Sequence, residues 1–420
     1  MTTIIRIAWR NLIRNRRRTI FVMAALVVGM SAITAFRSFL NAMHYAQMEN
    51  QLKGRYGFLQ VHKKGFLANV LANPLQFNFA DTPDLREKIL AVRGITAIAP
   101  RIDFSAMYSG PEQDKHPART AFFAITAMDP KAEARVSPRI MDNIRVGRML
   151  SDLNARELVL NLELAEGLGA SVVQDGSLSD ESLWPVVLTN DIDGSMNGEI
   201  SLVVGHLAPT MPGDNRYGLM TLGTAQRLLR LEGRVTEYAI GATDLKEVPR
   251  IQRELEVVLG PEFEVQRWDQ VAPLLKQLLE LTSSLFNIIT AVFMTIVLLG
   301  LVNVMLMNVL ERVREIGTMM AVGTRRATIL WLFLIEGGTI GFFGGLVGLA
   351  VGCIVVLVLN RQGFSIAPPG NDIPLLLRPF VTPAFLLGME AFSVTGAVLA
   401  SLWPAMKASR LNPVEALSQP

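Results

Sequence analysis

Residues 281–310 read LTSSLFNIITAVFMTIVLLGLVNVMLMNVL, 30 consecutive positions without a charge. A helix rises about 1.5 Å per residue and the hydrocarbon core of a bilayer is about 30 Å thick, so roughly 20 apolar residues cross it. This stretch spans a membrane with residues to spare. Gly337 to Asn360 adds 24 uncharged residues, and Ile20 to Phe36 adds 17, the short end of the range, with Arg37 placed to snorkel to the outer interface. A fourth segment, Pro379 to Met406, is interrupted once by Glu390, a carboxylate inside the membrane.

The composition fits. Half of the 420 residues are hydrophobic and 18% are charged, against about 25% in an ordinary soluble domain. Lys plus Arg number 40 and Asp plus Glu 37, a net charge of only +3, which argues against a nucleic-acid partner. Cys353 is the single cysteine, and no two of His44, His62, His116 and His206 lie closer than 18 positions. A disulfide framework and a compact metal motif are therefore not expected.

The flanks set the orientation, because positive residues in short loops stay cytoplasmic. Arg6, Arg10, Arg14, Arg16, Arg17 and Arg18 precede the first span, Arg312, Arg314, Arg325 and Arg326 lie between the second and third, and Lys407 and Arg410 follow the fourth. Both termini are thus expected inside, with the segment between spans one and two outside. The rival for the first segment is a cleaved signal peptide. The 18-residue basic leader is long for that role, and its apolar residues recur at helical spacing, which suits an interfacial helix running into an uncleaved span.

Between Asn41 and Glu280 lie about 240 residues, enough for one large or two small domains with their own core. Strand-like runs occur at Tyr56–Val61, Ile95–Ala99, Thr120–Thr126, Glu157–Leu160, Pro185–Leu188, Ile200–Val204, Tyr238–Ala242 and Phe263–Gln266. Helical patterns interleave at Asp84–Val92, Leu162–Leu168, Thr224–Leu231 and Val248–Leu259, which points to a mixed α/β domain. Asp191 to Glu199 alternates oxygen-bearing side chains like a calcium loop, but Met196 and Leu202 occupy the positions that need glycine and a bidentate acid. A solvated hairpin turn is the expectation. No nucleophile elbow appears, and Tyr108–Pro117 reads as an exposed loop.

Between spans two and three runs ERVREIGTMMAVGTRR, residues 311–326. On a helix Val313, Ile316 and Met320 share one face and Glu311 and Glu315 another, with Gly323 suited to the C-terminal cap. Two readings stand: a connector lying in the interface, or a lever that docks into a second protein and passes force into the membrane. In span three, Gly337, Gly341 and Gly345, and also Gly344, Gly348 and Gly352, recur every four residues, so close helix packing is expected along Gly337, Gly341, Gly345 and Gly348. Glu336 and Glu390 are expected to face protein or water as satisfied carboxylates rather than as a proton relay.

The ERVREIGTMMAVGTRR stretch resembles the coupling-helix motif of the MacB, FtsX and LolC/LolE superfamily of ABC-transporter permeases. The chain end from Pro404 to Leu417 and the start from Ala8 to Arg18 are similar to that family's terminal motifs. The resemblance implies no nucleotide site in this chain, and no phosphate loop ending in Gly-Lys-Ser/Thr occurs; ATP and Mg would be bound by the partner ATPase. It implies a separate ABC ATPase in two copies, the fused ATPase domain of MacB being absent from this sequence. It also implies a second permease, as a homodimer or related heterodimer, and admits a periplasmic carrier or adaptor. By motif matching, Glu311, Arg314, Glu315, Ile316, Met319 and Gly323 are the expected ATPase contact. Asn412, Pro413 and Glu415 form the C-terminal motif, a good helix start with Asn at the N-cap, Pro at N1 and Glu at N3.

The expected fold class is an α-helical membrane protein of four transmembrane helices, with a large mixed α/β extracytoplasmic domain between helices 1 and 2. Its segments are an interfacial helix (1–18), a first span (19–42), the external domain (43–273), a stalk with the second span (274–310), and the coupling helix (311–326). A third span (327–360), an external loop (361–378), a fourth span (379–406) and a cytoplasmic tail (407–420) complete it. The stalk is preferred to tilt because 30 residues make about 45 Å, more than the apolar core needs. The expected function is that of a non-catalytic permease in an inner membrane, transmitting ATP-driven motion to its external domain to release or export lipoprotein, lipid or other amphipathic cargo. Residues 368–371 and 263–270 resemble lipoprotein-releasing permeases more than efflux ones. The alternatives are an FtsX-like regulator of a cell-wall hydrolase and an efflux permease for drugs or peptides.

Overall fold

A computed structural model of the protein describes residues 16–70, 72–111, 119–172, 184–209, 215–366 and 374–410. The leader up to residue 15, the 368–371 motif and the terminal motif with Asn412, Pro413 and Glu415 lie outside the described residues. The chain divides into two compact units, one of Met1–Tyr45, Leu279–Phe364 and Leu376–Pro420, the other of Ala46–Leu278 and Ser365–Leu375.

The first unit is helical. Helix α1 (Arg16–Gln51) enters it, and its other long helices are α7 (Pro273–Glu311), α9 (Arg326–Gln362) and α10 (Pro383–Ser409), with the short α8 (Val313–Ala321) between α7 and α9. All four long helices are long and apolar enough to cross a membrane. Helix α7 has 39 residues, about 58 Å, and Pro273–Glu280 is continuous with the apolar stretch. Val22, Leu26, Met30 and Ile33 of α1 recur every three or four positions and meet Met305, Ile340, Leu349, Met389 and Ala397 in one buried cluster.

The glycines of α9 divide into two faces. A Cβ on Gly341 would sit 2.6 Å from Ala397 Cβ and 2.7 Å from Ser393 O of α10, and one on Gly337 would collide with Ser401. On the other face, a Cβ on Gly348 would meet Met30 Cβ at 2.7 Å, and Gly344 and Gly352 face Leu26 and Thr34 of α1. Both small-residue faces are filled by helices of the same chain. Ser393 Oγ donates to Gly341 O at 2.8 Å, a bond that closeness alone permits.

The second unit is a mixed α/β domain. Its strands are β1 (Leu59–Lys63), β2 (Phe79–Ala80), β3 (Ile95–Ser109), β4 (Thr120–Met128), β5 (Ile144–Gly147), β6 (Glu157–Asn161), β7 (Val186–Asn190), β8 (Met196–Ile200), β9 (Leu202–Leu207), β10 (Tyr217–Thr221), β11 (Arg234–Val235), β12 (Glu237–Ala242) and β13 (Phe263–Arg267). Its main helices are α2 (Pro83–Leu90), α3 (Pro130–Val136), α4 (Leu162–Leu168), α5 (Leu222–Leu229) and α6 (Val248–Leu259). The main sheet runs β13-β1-β12-β3-β4-β10-β6-β9-β5, with β7 and β8 joined to it through β3. Within it, β1, α2, β3, β12, α6 and β13 make a split βαβ unit, antiparallel in the order β13-β1-β12-β3. The chain between β3 and β12 extends the same sheet and carries its own core around Met128, Val159, Tyr217 and Leu219.

Strand β3 is the spine. Expected to end at Ala99, it continues to Ser109 and pairs successively with β12, β4 and β7. Asp191 to Ser195 is the turn of the β7–β8 hairpin, with Asp191 Oδ1 accepting from the backbone N–H of Asp193 and Ser195. His62 is a core residue, stacked on Phe66 at 4.2 Å, with its ring nitrogens near Thr236 O and Gln60 Oε1.

A buried charge cluster ties β3 to its neighbours. Arg101 Nε and Nη2 donate to Glu133 of α3 at 2.9 and 2.5 Å, Nη1 donates to Glu237 of β12 at 3.1 Å, and Nη2 reaches Ser137 Oγ at 3.2 Å. Burial, and then the charge of Asp103, hold the Glu237 carboxyl well above its usual range. A carboxyl raised in the folded state stabilises fully below its unfolded value of 4.5, and that contribution is lost as pH rises through the folded value. Glu237→Gln, which is neutral at every pH and still accepts from Arg101, is therefore expected to gain on the wild type between about pH 5 and about pH 8. Unfolding of the intact protein at both pH values checks this, and a gain that shrinks with rising pH contradicts it.

Candidate functional site

The most informative constellation lies where α7 gives way to α8. Helix α7 stops at Glu311, and Arg312, at φ −108° and ψ 15°, breaks the helix for one residue before α8 begins. At the other end the chain leaves α8 through a glycine cap. Gly323, at φ +94°, takes the left-handed conformation, Thr324 N–H donates to Met319 O at 3.0 Å, and Gly323 N–H donates to Met320 O at 3.0 Å. The cap turns the chain directly into α9, and a β-carbon at residue 323 would be strained there.

Helix α8 is amphipathic, and its two sides face different surroundings. Ile316 is buried with Val309, Ile329, Phe333, Leu334, Ala405 and Ala408, and Met320 packs against the same cluster. Glu311, Arg314, Glu315 and Gly323 are exposed, and Met319 is half-buried. Five of the six residues matched to the coupling motif are thus accessible. The exception is Ile316, which is buried and seats α8 against α9 and α10.

Arg312 was not among the matched residues, and it organises the site. Its side chain is 10% exposed; Nε lies 3.0 Å from Glu315 Oε2, and Nη1 lies 3.3 Å from Glu336 Oε2 of α9, a carboxylate that is 7% exposed. The guanidinium also stands 5.8 Å from the centre of the Phe333 ring. Only arginine offers donors in a fixed fork able to hold two carboxylates at once. A signal existed in the sequence, an arginine at the edge of one span and a glutamate just inside the next.

Glu336 is therefore a satisfied carboxylate, as expected, but Glu390 is not. Both Glu390 oxygens are buried and have no hydrogen-bond partner among the described residues. Oε2 occupies room left by Gly345, whose Cβ would sit 2.8 Å away. Trp331 and Trp403, both about half exposed, lie toward the same end of α9 and α10, with the Lys407 amine 5.7 Å over Trp403. Indole rings of this kind gather where a bilayer meets water.

Residues 287–413, which include α8, Arg312 and Glu336, match the family of the FtsX-like permease C-terminal domain. An uncharacterised ABC transporter permease of Methanocaldococcus jannaschii is 24% identical over 211 residues, which are 49% of this chain and 51% of that protein. The macrolide export ATP-binding/permease protein MacB of Sodalis glossinidius is 40% identical over 142 residues, 33% of this chain and 20% of that protein. The chain thus spans about half the length of the first relative and a fifth of the second. Among solved structures, the periplasmic region of MacB from Actinobacillus actinomycetemcomitans covers 55% of this chain and 97% of its own, at 10% identity and a TM-score of 0.35. The extracellular domain of YknZ, a noncanonic ABC-type transporter from Gram-positive bacteria, covers 50% and 99%, at 12% identity and a TM-score of 0.32. Over residues 287–413 this four-span membrane protein thus matches the FtsX-like permease C-terminal domain, and it is similar in sequence to MacB proteins and to an ABC transporter permease.

Proposed function

We propose that the chain is the membrane subunit of an ATP-driven machine in which a separate ABC ATPase pushes on α8 and the motion reaches the domain between the first two spans. The observation that carries this reading is the two-sided helix. Ile316 fixes α8 to the bundle while Arg314 and Glu315 of α8, and Glu311 at the end of α7, stay exposed. A rod seated in the membrane helices and charged on its free side is suited to accept a load and pass it on.

In this reading ATP and Mg belong to two copies of the ATPase, and the permease pairs with a second permease. Arg314, Arg325, Arg326, Lys407 and Arg410 mark the cytoplasmic side of an inner membrane, with both termini on that side. The chain itself performs no catalysis. The cargo is a lipoprotein, lipid or other amphipathic molecule taken from the outer leaflet, because four largely apolar spans offer no polar lining for a water-filled path. A periplasmic carrier or adaptor would receive it. A second reading, export of a drug or peptide, is favoured by the relatives named for macrolide export. Control of a cell-wall hydrolase in the manner of FtsX needs no cargo at all.

Reconstitution with the cognate ATPase in liposomes separates the three. ATP-dependent transfer of a lipoprotein to an external carrier supports the first, efflux of a soluble compound the second, and neither the third. Within the same system, Glu315→Lys is expected to leave the helical bundle folded and to lower cargo-stimulated ATP hydrolysis by about tenfold, the scale of one lost charge-assisted contact. Normal copurification together with normal stimulation would remove Glu315 from the contact.

A further inference from the structure

The Arg312 fork joins a carboxylate on the exposed side of α8 to a carboxylate buried on α9. These two bonds differ in kind. The Glu315 carboxylate is 45% exposed, so water can replace Arg312 there at little cost. Glu336 is 7% exposed, and separating it from Arg312 would leave a charge without a counter-charge where water does not reach. Arg312 also carries the backbone at the break, its carbonyl accepting from Ile316 N–H at 2.9 Å. The bond that costs more to separate, although at 3.3 Å the longer of the two, therefore ties the root of α8 to α9, while the 3.0 Å bond to Glu315 can exchange with water.

We propose that Arg312 and Glu336 are positioning residues that make α8 and α9 move as one body, so that a push on the exposed side of α8 is delivered to α9. The inference rests on the proposed role of α8 as the ATPase contact and adds the route by which force leaves it. A cation on the ATPase that engages Glu315 takes it from Arg312, whose guanidinium then belongs wholly to Glu336. Docking tightens the link instead of loosening it. The glycine faces of α9, packed against α1 and α10, leave that helix little freedom except to carry its neighbours along.

The test uses the full-length chain bound to its cognate ATPase in nanodiscs, with amide hydrogen exchange over residues 46–278 compared with and without ATP. In Glu336→Gln the ATPase stays bound and basal hydrolysis stays within about twofold of wild type, because Glu311, Arg314 and Glu315 are untouched. The ATP-dependent change in exchange falls by at least about fivefold, roughly 1 kcal/mol of lost coupling. A merely structural role would instead lower thermal stability and ATPase binding together. A wild-type complex that responds, beside a Glu336→Gln complex that responds equally, overturns the link alone. A wild-type complex with no response overturns the role of α8 and the link with it. Should Glu336→Gln fail to assemble, Glu336→Asp replaces it: the charge is kept, the reach is one methylene shorter, and the response falls by at least about twofold; an unchanged response overturns the proposal.

Discussion

Arg101→Met is expected to destabilise the α/β domain by about 3–5 kcal/mol, the range for removing one partner of a buried ion pair. Arg101 supplies both side-chain bonds to Glu133, whose side chain is fully buried, and a third to Glu237. Methionine fills much the same volume and leaves the Glu133 carboxylate enclosed without its cation. Two further variants separate charge from packing. Arg101→Lys keeps the charge but loses the fork, and is expected to fall between wild type and Arg101→Met. Adding Glu133→Gln to Arg101→Met removes the stranded charge and is expected to recover more than half of the loss. Denaturant unfolding of the intact protein, followed by exchange of the β3 and β12 amides, measures all three. An Arg101→Met protein within about 1 kcal/mol of wild type would contradict the need for a cation beside Glu133.

That cluster also explains where sequence reading stopped. The four spans and the α/β character of the insert were legible because they depend on local apolar periodicity, which tertiary packing preserves. The end of β3 was not. Pro100, Arg101 and Asp103 break the hydrophobic pattern, and the residues that make Arg101 acceptable lie 32 and 136 positions away. Strand β10 escaped for a related reason. It contains Gly218, where a Cβ would press on Phe123 at 2.9 Å and Val159 O at 3.0 Å, so the glycine that weakens the strand signal is required by the packing of its neighbours.

The connector shows the same division. Its apolar face and its glycine cap could be read from spacing alone, since each depends on residues within one or two turns, whereas the break at Arg312 that leaves Glu311 on α7, and not one turn from Glu315 on the same helix, could not. The functional ordering of those residues could not. Motif matching placed Ile316 among the contacts, and the fold turns it inward; it passed over Arg312, whose partner stands 24 residues further on in another helix. Local pattern specifies the element. Which face meets the bundle is decided by helices that the pattern does not see.

Gly341→Leu is the second large effect, expected to cost about 3 kcal/mol or more, at the upper end for overpacking. The position differs from an ordinary tight core site because two of the three nearest atoms, Ser393 O and Val394 Cα, are backbone. A side chain can rotate away from a new methyl group, but Ser393 O, 2.7 Å from the added Cβ, moves only if α10 moves with it. Separating α9 from α10 then lengthens the Ser393 Oγ bond to Gly341 O and opens contacts at Gly337 and Gly345, which face the same helix. In lipid no hydrophobic force restores the approach, since the acyl chains are as apolar as leucine and close packing itself holds the helices together. Gly300 is the control, because nothing lies within 4 Å of its added Cβ, and Gly300→Leu is expected to leave the bundle intact. Cysteines at 338 and 398, in a Cys353→Ser background, report the separation directly: a Cβ on Gly338 lies 3.2 Å from Val398 Cγ2, which places the two residues side by side, so a short bifunctional thiol cross-linker should join the pair in the parent protein and fail to do so when Gly341→Leu is added. Equal cross-linking in both would mean that α9 and α10 tolerate the bulk and that the glycine face is not what sets their distance.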